Sequence, residues 1–565
     1  MKRLKKSTFF LVRWLSLMAS LAGCVRYAPV PHGVLVHESE TRYSNDSLKI
    51  SLYDFARMRF VTGALTAADK LLLRRLPHNE RVVRVLFTSH NGIASLPSHR
   101  LVGLVRTALP IQWRRDYQPR AQHGQRLYYF RQLPGPKTDV FDCVVPEASE
   151  KLELVLEVPH DDTGAFATTQ AYFLDEMDYL VQGLRTGTAY QRTPPTNPFT
   201  ILSEAFGAPD TTAGNYLLPV ALLRAAADNY GDRNEQGTFL QALATAYACV
   251  DEPDSAAHYW RQMGDPERGK TAGGARSFDV SPATAEVLRQ TAATSLVLFN
   301  ENHVQPKGRY WLRSLLPALY QQGFRYLALE ALGDDAGLPR RGYPTLGSGF
   351  YLREPQLANL VRDALVLGFT LVPYDTMSDN REHDQAQNLW RRSLSQDPQA
   401  KVVVLAGFGH IDERTGPRKS MAGWLQELSG INPLTINQTD LEALAPDTGE
   451  EGVFFARAHN PAHPLPHYMT NDLYVINNLN LNSQTLGTDR PVIISVPADS
   501  LVRGQSFALL VYARAEYRAV PNPVPVWVRL SNVLHQQAFL RPGQYVSVAK
   551  DGGGAILWRA EFAVP

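Results

Sequence analysis

Two histidines, three carboxylates and one arginine stand at places where a chain can gather them for catalysis. The apolar run from Ser295 to Phe299 opens into Asn300, Glu301, Asn302 and His303. Phe324 to Leu329 stops at Glu330, Phe369 to Tyr374 stops at Asp375, and Lys401 to Ala406 stops at Gly407, Phe408, Gly409 and His410. Two imidazoles with one or two carboxylates suit a divalent ion of the Zn class, with one position left for water. His303, His410 and Glu301 are the expected ligands, and Glu330 is the second carboxylate. Whichever of Glu301 and Glu330 is not bound to metal is placed to move a proton. Arg381, opening a helical stretch that runs through Trp390, is a cation for an anionic substrate or a developing oxyanion, with Asp375 beside it. One histidine in such a loop would be read as bonding backbone; two, ending strands of one sheet, are read as a site. Asp379 and Glu382 are explained by the dipole of the helix they precede, and His383 as a solvated position on it.

The elements that must position these residues are short, nearly continuous apolar runs separated by helix-period segments. That pattern predicts buried parallel strands, with ligands at their carboxyl ends. The α/β domain is expected over 286–445. Its second helix has Pro355 in the first turn, Leu357, Leu360, Val361, Ala364 and Leu365 on one face, and Gly368 as terminator. Its first helix contains Pro317, which should kink it or delay its start.

Around this centre the pattern changes. Residues 46–165 read as β-rich, with Arg81 to Phe87 as one run and Leu152, Leu154, Leu156 and Val158 alternating in another. His90 and His160 there are isolated and read as loop residues. Residues 166–285 are helical: Phe239, Leu243 and Tyr247 share a face with Ala242 and Ala246, and Pro253 starts a second face at Ala256, Ala257 and Trp260. This resembles one tetratricopeptide-type helix pair, without the repeats such an array needs. From 450 to 565 short strands with turn signals predict a β-sandwich, closing in a hairpin through Asp551 to Gly554. The expected fold class is therefore a multidomain α+β protein. It has a central α/β domain with a parallel-rich sheet, N-terminal β-rich and helical regions, and a C-terminal β-sandwich.

At 565 residues, 44% hydrophobic and 20% charged, the chain is an ordinary globular protein too long for one core. Lys2, Arg3, Lys5, Lys6 and Arg13 lie in the leader; without them 52 basic residues face 55 acidic ones. No nucleic-acid partner is indicated. The leader itself has a basic start, an apolar stretch from Phe9 to Leu21 interrupted by Arg13, and Leu21-Ala22-Gly23 before Cys24. It resembles a bacterial lipoprotein signal peptide over 1–23, followed by a tether over 24–45. That resemblance implies cleavage before Cys24, lipidation of Cys24, and a cell-envelope location, on the outer membrane, through the lipid anchor. An uncleaved anchor and an ordinary signal peptide are the alternatives. Cys143 and Cys249 remain, as a bridge or as two solitary thiols.

Over 286–440 the motifs resemble the superfamily that contains the ChaN haem-binding uptake lipoproteins, TraB, the Tiki proteases and the erythromycin esterases. Its signature is a strand ending in Gly-Glu-X-His, a second ending in Glu, an Arg-led helix and a strand ending in Gly-X-Gly-His. Here these fall on Asn300 to His303, Glu330, Arg381 and Gly407 to His410, and Lys419 to Leu425 is similar to the helix that follows. Asn300 departs from the family's Gly, and Asn tolerates left-handed backbone better than most residues. Tiki-like members imply a metal on the two His motifs and peptide hydrolysis. Esterase-like members imply a metal-free His as base, and ChaN-like members imply haem binding. The expectation is a membrane-anchored hydrolase of ester or amide bonds acting on a small molecule or peptide. A haem- or iron-uptake lipoprotein using the same His residues is one alternative. A non-catalytic envelope scaffold, binding protein partners through its helical or β regions, is another.

Overall fold

The computed structural model describes residues 41–45, 50–54, 58–62, 81–89, 100–108, 117–120, 126–134, 138–147, 150–159, 174, 178 and 181–190. It also describes 196–565, less 208–213, 231–233, 264–277, 377, 379, 414–418, 443, 446–449, 459–469, 483–485 and 501–505. The leader with Cys24, and His90, His160 and Asp379, lie outside the described residues. Two compact units divide the chain, the main break falling between Pro194 and Pro195. Multidomain α+β is the observed class.

The first unit is β-rich. Its strands are β1 (Thr41–Asn45), β2 (Ile50–Asp54), β3 (Met58–Thr62), β4 (Arg81–Ser89), β5 (Arg100–Ala108), β6 (Gln118–Arg120), β7 (Tyr128–Leu133), β8 (Thr138–Glu147), β9 (Glu150–Pro159) and β10 (Arg185–Thr186). Seven of them pair antiparallel in the order β3-β4-β5-β9-β8-β7-β6, and β1-β2-β10 form a separate sheet. The expected tether therefore ends earlier than 45, because Thr41–Asn45 is a strand paired along its whole length with β2. A five-residue polar segment gains its ladder bonds from a partner the local sequence does not announce.

The second unit begins with helices α1 (Pro198–Gly207), α2 (Leu218–Ala226), α3 (Asn234–Cys249) and α4 (Pro253–Met263). Ala242, Ala246 and Ala256 are fully buried, which lets α3 and α4 approach closely as a hairpin. There follow β11 (Phe278–Pro282), α5 (Ala283–Thr291), β12 (Leu296–Glu301), α6 (Lys307–Gln321), β13 (Tyr326–Leu329) and the single turn α7 (Leu338–Arg341). Next come α8 (Pro355–Leu367), β14 (Thr370–Pro373), α9 (Arg381–Arg392), β15 (Val402–Gly407), α10 (Met421–Ser429), β16 (Leu434–Asn437), β17 (Gly452–Ala458) and β18 (Leu473–Asn478). Their eight-stranded sheet has the order β11-β17-β18-β16-β12-β15-β13-β14. From β18 to β14 every pairing is parallel; β17 and β11 run antiparallel at one edge.

Alternate residues of the central strands feed two cores, as the pleat requires. Val297, Phe299, Leu327, Leu329, Val403 and Leu405 pack with α6 and α8 on one face. Leu298, Ala328, Val402, Val404 and Ala406 pack with α9 and α10 on the other. The chain goes β12–β13–β14 across the first face, then returns to insert β15 between β12 and β13. The reversal of strand order falls at these central strands, where ligands of open α/β sheets bind. Helix α8 has the predicted bounds: Glu354 caps its first turn, accepting from the backbone N–H of Gln356 (2.7 Å) and Leu357 (2.9 Å), and Gly368 ends it at φ 95°. Helix α6 differs from expectation. It starts at Lys307 and runs through Pro317 to Gln321, its apolar face buried deeply enough to outweigh one missing N–H.

The C-terminal boundary also moves. The sandwich was expected from 450, but β17 and β18 belong to the central sheet, and β11 extends that sheet ahead of 286. The two-sheet packing begins at β19 (Arg490–Ser495) and continues with β20 (Phe507–Ala513), α11 (Arg514–Ala519), β21 (Trp527–Ser531), β22 (His535–Leu540), β23 (Gly543–Lys550) and β24 (Ile556–Val564). The pair β19-β22 faces the sheet β21-β20-β23-β24 over Ile494, Val496, Phe507, Leu509, Val511 and Leu540. Cys143 and Cys249 are each buried, and neither forms a disulfide among the described residues. Burial pushes the Cys249 thiol up to about 12, so it stays protonated.

Candidate functional site

Parallel registry places the predicted residues side by side. Glu301 pairs with Gly407 across β12 and β15, and Glu330 follows Leu329, whose partner on β15 is Leu405. His303, Glu330, Arg381, Asp375 and His410 are thereby brought together at the carboxyl edge. The Glu330 Oε1 atom lies 3.9 Å from His303 Nε2 and 3.5 Å from His410 Nε2, and it accepts from Arg381 Nη2 at 2.8 Å. The other oxygen of Glu330 accepts the Gly407 N–H. Gly407 must be glycine for steric reasons: a methyl group there would overlap the His303 ring and lie 3.0 Å from Glu330 Oε2.

His303 is held from several sides. Its Nδ1 lies 2.9 Å from Glu301 Oε1, its ring stacks on Tyr351 at 4.0 Å, and Phe408 meets it edge-on at 5.4 Å. Glu301 is fixed in turn by Arg309, which is fully buried and donates through Nε and Nη2 at 2.6 Å each. Arg309 also reaches Glu354 at 3.0 Å and the His303 carbonyl at 3.2 Å. Burial alone would raise the Glu301 pKa, but the Arg309 guanidinium outweighs it and brings it down to about 2. An ionised Glu301 can only accept, so the Nδ1 contact is a bond donated by His303, and Nε2 is the nitrogen that faces Glu330. Glu301 was expected as a ligand; both its oxygens are engaged by Arg309 and His303.

Arg381 and His410 form the more open side. Arg381 donates to Asp375 Oδ1 at 3.0 Å and to the Thr376 carbonyl at 3.2 Å, and its Nη1 lies 3.3 Å from His410 Nε2. Asp375 thus orients the guanidinium, also accepting from Gln385 at 2.7 Å. His410 Nδ1 lies 2.7 Å from Glu382 Oε1, and the other Glu382 oxygen accepts the Met421 N–H at 2.6 Å. Burial would lower the His410 pKa, but Glu330 and Glu382 reverse this and raise it to about 10. For Glu330, burial is likewise overcome, by His410, His303 and Arg381, and the carboxyl is held well below its usual range. His383 stands apart, 2.9 Å from Asp384 and edge-on to Trp424.

Several participants are not evident from motif reading. Asn300 does not use left-handed backbone; it lies within β12, where its side chain donates to the Phe408 carbonyl (3.1 Å) and Thr439 Oγ1 (2.9 Å) and accepts from the Gln438 N–H (2.6 Å). The left-handed positions fall just past the strand ends, at Ala331 (φ 57°) and Phe408 (φ 40°). Such strain in a bulky residue persists only where its surroundings over-determine it, and it concentrates at functional sites. Arg309 had a faint signal, as a charge within an apolar helix face eight residues after Glu301.

As a first shell, the donor set is committed elsewhere. Among the described residues no three His, Cys, Asp or Glu side chains are grouped as an ion's ligands. Both oxygens of Glu301 and both of Glu330 hold protein partners. These residues hold His303 by one ring nitrogen, with the other facing Glu330, the carboxylate shared with His410 and Arg381.

No protein-family model matches the chain, and no curated protein matches it. Among solved structures, the solution structure of cyanobacterial PsbP (CyanoP) from Synechocystis sp. PCC 6803 is 12% identical, with a TM-score of 0.18, covering 27% of this chain and 96% of that one. A crystal structure from Bacteroides thetaiotaomicron VPI-5482 is 6% identical, also with a TM-score of 0.18, covering 38% of this chain and 79% of that one. Neither likeness bears on the site.

Proposed function

We propose that the chain is a membrane-anchored hydrolase of ester or amide bonds in which His303 is a general base on water. The observation that carries this is the Glu301–His303 pair, with Glu301 clamped by a fully buried Arg309. His303 Nε2 takes a proton from water as the water oxygen bonds to the carbonyl carbon, and Glu301 stabilises the imidazolium that forms. The negative charge on the carbonyl oxygen is met by Arg381 and His410. When the tetrahedral intermediate collapses, the leaving group departs with the proton from His303. Glu330 spaces the two imidazoles and the guanidinium around one point, and Asp375 and Glu382 hold the cations in place. Anchoring through Cys24 is supported by the leader sequence, and mass spectrometry finding a mature chain that begins elsewhere would remove it.

His303→Ala is expected to lower kcat/KM on p-nitrophenyl acetate by roughly 10²–10⁴ per folded molecule, while treatment with a chelator leaves the wild-type rate intact. A chelator-sensitive rate would assign the reaction to a divalent metal, and a visible haem band in purified protein would favour the uptake alternative.

A further inference from the structure

The helical hairpin reaches the site through one aromatic contact. Trp260 of α4 stacks on Phe408 with centroids 5.1 Å apart and planes at 4°, and Phe408 meets the His303 ring edge-on. Both rings are half-buried, so each keeps surface for a ligand. Phe408 holds its place at a backbone cost: its φ is 40°, and it stands between Gly407 and Gly409. A third glycine would adopt that turn without strain, so the retained ring is needed for itself. The Asn300 side chain bonds the Phe408 carbonyl and fixes the turn that aims it. Two residues on, the same turn carries His410, whose Nε2 lies 3.3 Å from Arg381 Nη1 at the start of α9.

We propose that Phe408 and Trp260 form a shelf for a planar ring attached to the substrate's carboxyl group, so that the site takes aryl carboxylic acid derivatives with the carboxyl end at Arg381. Offset stacking on two aromatic faces binds a ring without reading its substituents, and Arg381, whose Nε and Nη2 already donate to Thr376, Asp375 and Glu330, presents Nη1 to a carboxylate. The proposal rests on the hydrolase reading only for its choice of a carboxyl group. Trp260 is a specificity residue here, since it contacts the ring and not the reacting atoms.

Calorimetric titration of the full chain with benzoate and with acetate tests this without requiring turnover. Benzoate is expected to bind at least about tenfold tighter than acetate. Trp260→Ala should bring benzoate down to the acetate level, and Trp260→Phe should restore most of the preference. Equal affinity for the two anions, no binding of either, or a preference that survives Trp260→Ala would overturn the proposal. If Trp260→Ala does not fold, Phe408→Gly removes the other half of the shelf while relaxing the backbone, and the same loss is expected. The hydrolase reading fails separately: a benzoate preference with no hydrolysis of p-nitrophenyl benzoate would leave the shelf standing and remove the reaction.

Discussion

Arg309 and Arg313 lie one turn apart on the same helix, both buried, and each pairs with a carboxylate on α8 or its cap. Arg313 donates to Asp363 at 2.6 Å, and Arg541 beyond β22 reaches the same carboxylate from the C-terminal sandwich at 2.6 and 2.5 Å. Asp489 lies 3.7 Å from Arg541. That cluster staples the sandwich to the α/β core and contains no imidazole. Arg309 instead holds Glu301, which holds His303. Burial and charge are therefore shared by both clusters and mark neither. What separates them is an imidazole with one nitrogen fixed and the other facing a carboxylate shared with two cations, next to strained backbone at Phe408 and Ala331.

Removing each arginine tests that separation most strongly. Arg309→Met strips the guanidinium from two buried carboxylates, Glu301 and Glu354, and should cost about 3–5 kcal/mol in urea unfolding, whereas Arg313→Met should cost less because Arg541 still pairs with Asp363. Only Arg309→Met should also lower activity per folded molecule, because it frees Glu301 to turn away from His303. Equal specific activity in the two folded variants would erase the distinction. Arg381→Ala should follow, lowering kcat by roughly 10²–10³ while moving the urea midpoint less than Arg309→Met does. A variant that lost stability but kept kcat would make Arg381 a second staple.

Per pH unit the smallest effect is the dependence of stability on pH, and the two sides of the site should differ in sign. Glu301 is depressed from 4.5 to about 2, so its contribution is present above 4.5 and lost as pH falls through about 2. His410 is raised from 6.5 to about 10, so its contribution is complete below 6.5 and lost as pH rises through about 10. Stability should therefore decline from pH 6.5 to 10, by at most about 1.4 kcal/mol per pH unit. His410→Gln should flatten that slope in urea titrations and weaken the part of the acid limb that Glu330 supplies, since His410 helps hold that carboxyl down. A slope that persists in His410→Gln would place its origin outside the site.

Local sequence determined a good part of this protein. The four strand ends, the bounds of α8 from Pro355 to Gly368, and the hairpin through Gly554 follow from periodicity and turn chemistry within a few residues. So does the gathering of His303, Glu330, Arg381 and His410, because parallel crossovers of one hand leave strand ends at one edge. Tertiary structure decided the rest. The edge strands β11, β17 and β18 and the early strand β1 have ordinary composition, and only a partner far along the chain gives their backbone its hydrogen bonds. Pro317 sits inside a helix because packing outweighs a propensity. Glu301 turned from an expected ligand to the holder of His303 because Arg309 closes on it from the next helix, and Glu354 closes on Arg309 from 45 residues further on. Phe408 takes a left-handed turn because Asn300, 108 residues earlier, bonds its carbonyl. Residue type and spacing specify what can do chemistry, but which charges neutralise one another is set only when distant elements meet in a low-dielectric interior.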